Sequence, residues 1–376
     1  MKKMKVMSVF GTRPEAIKMC PLVKVLESLP QIESVVCLTG QHREMLQQVI
    51  NIFGIKVTHN LNIMRSEQTL YTITIDVLLK MESILKQERP DIVLVHGDTT
   101  TSFITALAAF YQKIPVGHVE AGLRTYDKYS PFPEEMNRCL TSEIAELHFA
   151  PTENNKNNLQ KEGKRKNVFV TGNTVIDAFS TTVHSDYRFK NAEIQKVLKR
   201  ANKIILVTAH RRENLGKPLV QICDALLSLH QSFPDLEFVY PVHLNPKVRK
   251  IVFSKLSNVE KVHLIDPIDV EDMHNLMSRS YLVMTDSGGL QEEAPAFGIP
   301  VLVLRTETER PEAVKAGTVR VVGIKTEDIV EQTTKLLQDS KEYQTMAHAA
   351  NPYGDGHASE RIVKYLLHWY ENLKSK

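Results

Sequence analysis

Cysteine is scarce. Four residues, Cys20, Cys37, Cys139 and Cys223, are scattered over 376 positions with no CxxC pair. That spacing excludes a disulfide framework or thiolate zinc centre and fits a reducing cytoplasm. No apolar run approaches the roughly 18 residues of a membrane span. The basic start Met1-Lys2-Lys3-Met4-Lys5 is followed by an apolar run, Val6 to Phe10, too short for a secretion signal. Neither charge sign dominates: 47 basic against 44 acidic side chains leave a net +3. This argues against nucleic acid as a partner but leaves room for local clusters that hold a small anion. GxGxxG and the Walker A lysine motif are missing, so dinucleotide and ATP readings lose support. HExxH, a Cys–His cluster and GxSxG are missing too, which disfavours zinc hydrolysis and a serine nucleophile.

What is present is α/β alternation. Lys5 to Phe10, Ser34 to Thr39, Asp91 to His96 and Val116 to Glu120 read as strands. Pro14 to Ser28, His42 to Phe53, Thr69 to Glu88 and Thr100 to Gln112 read as helices between them. Near-continuous apolar strands alternating with helices predict parallel sheets covered on both faces. The pattern then restarts at Lys203 to Thr208, whose exit Ala209-His210-Arg211-Arg212-Glu213 parallels Gly11-Thr12-Arg13-Pro14-Glu15. Likewise Val93 to Asp98, followed by Ile114-Pro115-Val116, parallels Leu282 to Asp286, followed by Ile299-Pro300-Val301. We read an α/β protein of two Rossmann-like domains facing across a cleft. Residues 1–172 form the first and 173–359 the second, with a last helix of about 360–376 packing back on the first.

Candidate chemistry gathers at strand ends, where open parallel sheets bind ligands. Asp286-Ser287-Gly288-Gly289 leaves a buried strand and opens a helix, offering close backbone approach and unpaired N–H donors to a phosphate. Glu292 and Glu293, one turn on, stand too near a diphosphate to face it, so one reaches past it to sugar hydroxyls; the plainer reading is compensation of the helix dipole. Arg13 and Lys18 bring two cations to the first strand exit, or simply line a solvated helix face. Asp98 and Glu120 end neighbouring strands, Glu134 follows on a proline-braced loop, and His210 ends a strand of the second domain. Singly each is most simply an ion pair or a cap; together they suit general acid–base work. The pairs His96/Asp98 and His118/Glu120 could in principle ligate a metal, but the pattern favours none.

Across almost its whole length the chain resembles the bacterial non-hydrolysing UDP-N-acetylglucosamine 2-epimerases. The segments that carry the resemblance are FGTRPEAIKM (10–19), TGQHREML (39–46), VHGDTTT (95–101), GHVEAGLRT (117–125), PEEMNR (133–138), TGNTVIDA (171–178), TAHRREN (208–214), YPVHLNP (240–246), MTDSGGLQEEAP (284–295), TERPEAV (308–314) and NPYGDG (351–356). The resemblance implies a GT-B-like fold and reversible C2 epimerisation of UDP-GlcNAc to UDP-ManNAc through 2-acetamidoglucal, with no metal or cofactor. It implies that Asp98, Glu120, Glu134 and His210 are catalytic. It implies that Arg13, Lys18, Ile268, Met273, Ser287, Gly288, Gly289, Glu293 and Arg310 join Asp98, Glu120 and His210 in binding substrate. Met273 stands where many relatives carry an aromatic residue against uracil; methionine still offers an apolar platform. Gln41, Arg211 and His243 match positions that bind a second UDP-GlcNAc as activator. A homodimer and a role supplying cell-surface polysaccharide are also implied. A hydrolysing epimerase, a GT-B glycosyltransferase and a silent UDP-sugar sensor are the alternatives; the carboxylates at 98, 120 and 134 weigh against the last two.

Overall fold

The computed structural model describes residues 3–40, 43–65, 67–200 and 202–375. The chain divides into two compact units, Met1–Thr181 with Tyr353–Lys376, and Thr182–Pro352.

The first unit is built on a seven-stranded parallel sheet. Its strands are β1 (Met4–Phe10), β2 (Ile32–Leu38), β3 (His59–Asn60), β4 (Ile92–His96), β5 (Val116–Val119), β6 (Leu147–Ala150) and β7 (Val168–Val170), in the order β3-β2-β1-β4-β5-β6-β7. The second unit has six parallel strands, β8 (Ile204–Thr208), β9 (Glu237–Pro241), β10 (Val262–Ile265), β11 (Leu282–Thr285), β12 (Val301–Val303) and β13 (Val319–Val321), in the order β10-β9-β8-β11-β12-β13. The order reverses between β1 and β4 in one sheet and between β8 and β11 in the other. The two pairs of similar segments in the sequence are these central strands and their exits, so the internal repeat is a repeat of the sheet's switch point. Every residue of β4, β8 and β11 is buried, as strands covered on both faces require.

Helices cover the sheets through apolar faces. In Leu70–Glu88 the buried residues are Ile73, Val77, Met81 and Leu85, four apart, packed with Met7, Val9 and Val93. In the second unit Leu219, Ile222, Cys223, Leu226 and Leu229 of Lys217–Ser232 do the same against Ile205, Val207 and Phe238. The thiols of Cys37 and Cys223 are pushed up to about 12 by burial, so they stay protonated.

The break after Thr181 falls later than the expected break after 172, and there is a physical reason. Asn173 donates its backbone N–H to the Tyr353 carbonyl at 2.7 Å. The buried Asp177 carboxylate accepts the N–H groups of Ala358 and Ser359 at 3.1 and 2.6 Å, capping the last helix, Ala358–Lys374. That helix also stacks Tyr365 on Phe169, centroids 4.0 Å apart. The chain's return thus fastens to residues 173–177 and holds them in the first unit. Among the described residues no helix is long and apolar enough to cross a membrane.

Candidate functional site

In the first unit the loops after β1, β4 and β5 carry the candidate groups. Helix Arg13–Ser28 starts with a capping box: Thr12 Oγ1 accepts from the Glu15 N–H, and Glu15 Oε2 accepts the N–H groups of Gly11 and Thr12 at 2.9 and 2.8 Å. Glu15 Oε1 accepts from Thr99 Oγ1 at 2.7 Å, which ties the β1 exit to the β4 exit. Gly11 leaves no room for a side chain, since a Cβ there would lie 1.8 Å from Thr39 Oγ1. This braced turn sets the half-buried Arg13 at the helix start and Lys18 one turn later.

Lys18 Nζ donates to Glu120 Oε2, which also accepts from Asn173 Nδ2 at 2.9 Å and lies 3.8 Å from His96 Nε2. Glu120 follows β5 with φ at 61°, left-handed for a residue with a Cβ, at a cost of about 1–2 kcal/mol. Asp98 accepts from Arg138 Nη2 at 2.8 Å. Burial raises its pKa to about 6; the Arg138 guanidinium opposes this, while the charges of Glu120 and Glu134 add to it. Glu134 opens helix Glu134–Ile144, half-buried, after the cis Ser130–Pro131 and Phe132–Pro133 bonds. Its neighbour Glu135 turns inward to accept the N–H groups of Thr125 and Tyr126, both at 3.0 Å. Asp98, Glu120, Glu134 and Lys18 therefore share one electrostatic neighbourhood. His118 serves the fold instead. It is buried, with its pKa lowered to about 3, and it bonds the Gly97 carbonyl at 2.8 Å and meets Ser142 Oγ at 3.4 Å. Both ring nitrogens are thereby committed.

In the second unit Asp286 is fully buried, and it is a hub rather than a phosphate contact. Its Oδ2 accepts the N–H groups of His210 and Arg211, each at 2.8 Å, and Asn214 Nδ2 at 2.9 Å. It thereby binds the β8 exit to the β11 exit. His210 Nδ1 lies 3.5 Å from Asp286 Oδ1, and its ring stacks on His243 with centroids 5.0 Å apart. Partial burial lowers the His210 pKa; Asp286 opposes that shift, and His243 and Arg211 add to it. Ser287, Gly288 and Gly289 then open the short helix Gly288–Glu293. A Cβ on Gly288 would lie 3.2 Å from Arg310 Cζ, so the backbone and the guanidinium approach closely. Arg310 is fixed from behind by buried Glu292, Nε to Oε1 2.7 Å. Glu293 faces the other way, with Oε2 3.5 Å from His274 Nε2, and His274 Nδ1 meets Thr182 Oγ1 at 2.8 Å. Met273, beside His274, and Ile268 in the preceding loop are both half-buried. Three arginines, Arg211, Arg305 and Arg310, surround Glu309. Burial alone would raise the Glu309 carboxyl, but Arg310, Arg305 and Arg211 outweigh it and hold the pKa at about 2.

The sequence model of the family described as UDP-N-acetylglucosamine 2-epimerase matches residues 24–367. The chain belongs to that family. It is 54% identical over 377 residues to UDP-N-acetylglucosamine 2-epimerase of Bacillus subtilis (strain 168), covering all of this chain and 98% of the relative. The crystal structure of the Neisseria meningitidis UDP-GlcNAc 2-epimerase bound to UDP-GlcNAc superposes with a TM-score of 0.87 at 52% identity, covering 97% of this chain and all of that one. A glycosyltransferase of kitacinnamycin is similar at a TM-score of 0.65 and only 11% identity, covering 97% of this chain and all of that one, which shows a shared two-domain α/β architecture.

Within each unit the family's motif residues come together. Lys18, Asp98, Glu120 and Glu134 do so in the first. In the second, His210, Arg211, His243, Ser287, Gly288, Gly289 and Arg310 follow the carboxyl ends of β8, β9, β11 and β12, while Glu293 and Met273 flank His274. Gln41 lies outside the described residues. Sequence reasoning missed Arg138, Asn173, His274, Arg305 and Glu309. Arg138, Asn173 and Glu309 lie inside quoted motifs, but nothing in their spacing names their partners. Of the two carboxylates near the glycine turn, the resemblance assigns Glu293 to substrate binding. Glu292 is instead taken up by Arg310, an ion pair rather than compensation of the helix dipole.

Proposed function

We propose that this protein interconverts UDP-GlcNAc and UDP-ManNAc at C2, by elimination and re-addition of UDP through 2-acetamidoglucal. One observation carries the reading. Asp98, in a chain of this family, titrates near pH 6 beside Glu120 and Glu134, within the range a general base at neutral pH needs.

In this reading the second unit's groups hold the nucleotide. Ser287 to Gly289 and Arg310 receive the diphosphate, Glu293 the ribose hydroxyls, and Ile268 and Met273 the uracil. The first unit's groups work on the sugar. Asp98 or Glu134 takes the C2 proton, the C1–O bond breaks with its electron pair leaving on UDP, and a C1–C2 double bond forms. UDP then returns to C1 while the other carboxyl protonates C2 from the opposite face. Glu120, locked by Lys18 and Asn173, orients the sugar, and His210 and Arg13 balance charge on the departing diphosphate. Arg211 and His243, with Gln41, receive a second UDP-GlcNAc as activator. The enzyme is a cytoplasmic homodimer supplying ManNAc units for cell-surface polysaccharide, and it requires no metal or cofactor.

Proton NMR with UDP-GlcNAc in D2O tests the reaction. Deuterium entering C2 while UDP-GlcNAc and UDP-ManNAc equilibrate is the expected result. Free ManNAc released with UDP from the start would place the chain with hydrolysing epimerases instead. Asp98→Asn and Glu134→Gln should each lower exchange at least about a thousandfold, within the range of lost acid–base catalysis, and leave UDP binding largely intact. Near-normal exchange in both variants would overturn the proton-transfer roles.

A further inference from the structure

The Glu309 carboxylate pairs with three arginines, Arg211, Arg305 and Arg310. Its two oxygens are held very differently. Oε2 meets Arg305 Nη1 at 2.5 Å, and Arg305 is itself backed by Glu213 at 2.8 Å. Oε1 sits 3.3 Å from Arg310 Nη1 and 3.4 Å from Arg211 Nη2. The same oxygen lies 3.3 Å from the point a Cβ on Gly288 would occupy. One oxygen is anchored by a short charge-assisted bond. The other rests loosely on two guanidinium groups, at the mouth of the glycine turn.

We infer that Glu309 is a resident anion in the nucleotide site: its Oε1 competes with the incoming diphosphate for Arg310, and Arg211 restrains it by sharing that oxygen. The inference rests on the reading above that Gly288, Gly289 and Arg310 receive UDP. Three points carry it. Glu309 stays ionised across the working pH range, so protonation cannot remove the competitor. Arg310 has an independent anchor in buried Glu292, so it keeps its place when Oε1 departs. A phosphate against the Gly288 turn would stand beside Oε1 as a like charge, and relief requires the carboxylate to swing toward Arg211 and Arg305. Arg211, assigned by resemblance to the activator position, thereby acquires a role toward the first nucleotide as well. Without it the oxygen would fall to Arg310 alone, and competition would sharpen.

Calorimetric titration of UDP into four full-length proteins tests this: the natural protein, Glu309→Gln, Arg211→Met and the double variant. Glu309→Gln should bind UDP about tenfold tighter, a direction that simple structural damage would not produce. Arg211→Met should bind several-fold weaker in the natural background and change little when Gln already stands at 309, the signature of coupling through one partner. Unchanged or weaker binding by Glu309→Gln, or an equal Arg211→Met effect in both backgrounds, would overturn the inference. Should Glu309→Gln fail to fold, Glu309→Asp withdraws the oxygen by one methylene and is read in the same way: tighter binding supports the inference and weaker binding overturns it. A natural protein that does not bind UDP at all would instead overturn the nucleotide-site reading, and this inference with it.

Discussion

At the residue scale the decisive group is Asp98, and the decisive neighbour is Arg138, forty positions away in sequence but 2.8 Å away in space. Burial raises the Asp98 pKa from 3.8 to about 6, and the guanidinium limits the rise. The raised value has two consequences of definite sign. Between about pH 4 and 6 the folded protein holds a proton that the unfolded chain has released, so this group's contribution to stability falls as pH rises through that window. For catalysis the useful form is the carboxylate, so kcat/KM for epimerisation should fall as pH drops through about 6. Arg138→Gln removes the opposing cation and should move that acid limb up by about one pH unit, the lower end of what an adjacent opposite charge supplies. Initial rates of UDP-ManNAc formation between pH 5 and 8 give the measurement; an unmoved limb would show that Asp98 is not the titrating base. Asp98 was legible in the sequence because it ends an apolar strand. Arg138 was not, because helix Glu134–Ile144 presents it to Asp98 only once the sheet has brought the two loops together.

At the scale of elements, the strands were legible from their continuous apolar runs and the site from its place at their ends. What each end does was less legible. In sequence Asp286 stands with the glycines as part of a phosphate loop, yet its Oδ2 accepts backbone N–H groups 75 and 76 residues earlier. Such a long-range bond leaves no local sequence signature. The glycine at 288 has a definable local reason. Among the described residues Gly288 is not one of the glycines with positive φ, so the residue is there for space rather than for conformation. Gly288→Ala should therefore be tolerated by the backbone of the helix it opens. Its methyl group would stand 3.2 Å from Arg310 Cζ and 3.3 Å from Arg310 Nη2. Arg310 must shift, while Glu292 holds its Nε in place. The expected outcome is urea stability within about 1 kcal/mol of the natural protein, together with UDP binding about tenfold weaker. A loss of stability without loss of UDP affinity would mean that the close approach serves packing alone.

At the scale of the whole molecule, helix Leu70–Glu88 is apolar on both sides, which one sheet does not explain. Ile73, Val77, Met81 and Leu85 face the core, while Tyr71, Ile75 and Leu79, two positions out of phase, are 81%, 56% and 63% exposed. Helix Thr100–Tyr111, which packs alongside, ends in Phe110 and Tyr111, 59% and 66% exposed. A stripe of large apolar side chains four residues apart is not the scatter of single exposed hydrophobics that ordinary surfaces carry. The homodimer proposed above supplies the missing cover, with a second copy presenting the same face in a self-complementary contact. Ile75→Asp combined with Leu79→Asp places two like charges on that stripe and, across a two-fold contact, four. The core-facing residues are untouched, so each unit should keep its fold, and far-ultraviolet circular dichroism should not change. Sedimentation should show the natural protein at twice the chain mass and the double variant at the chain mass. A natural protein that sediments as a monomer, or a double variant that stays dimeric, would mean that a second copy does not cover this face.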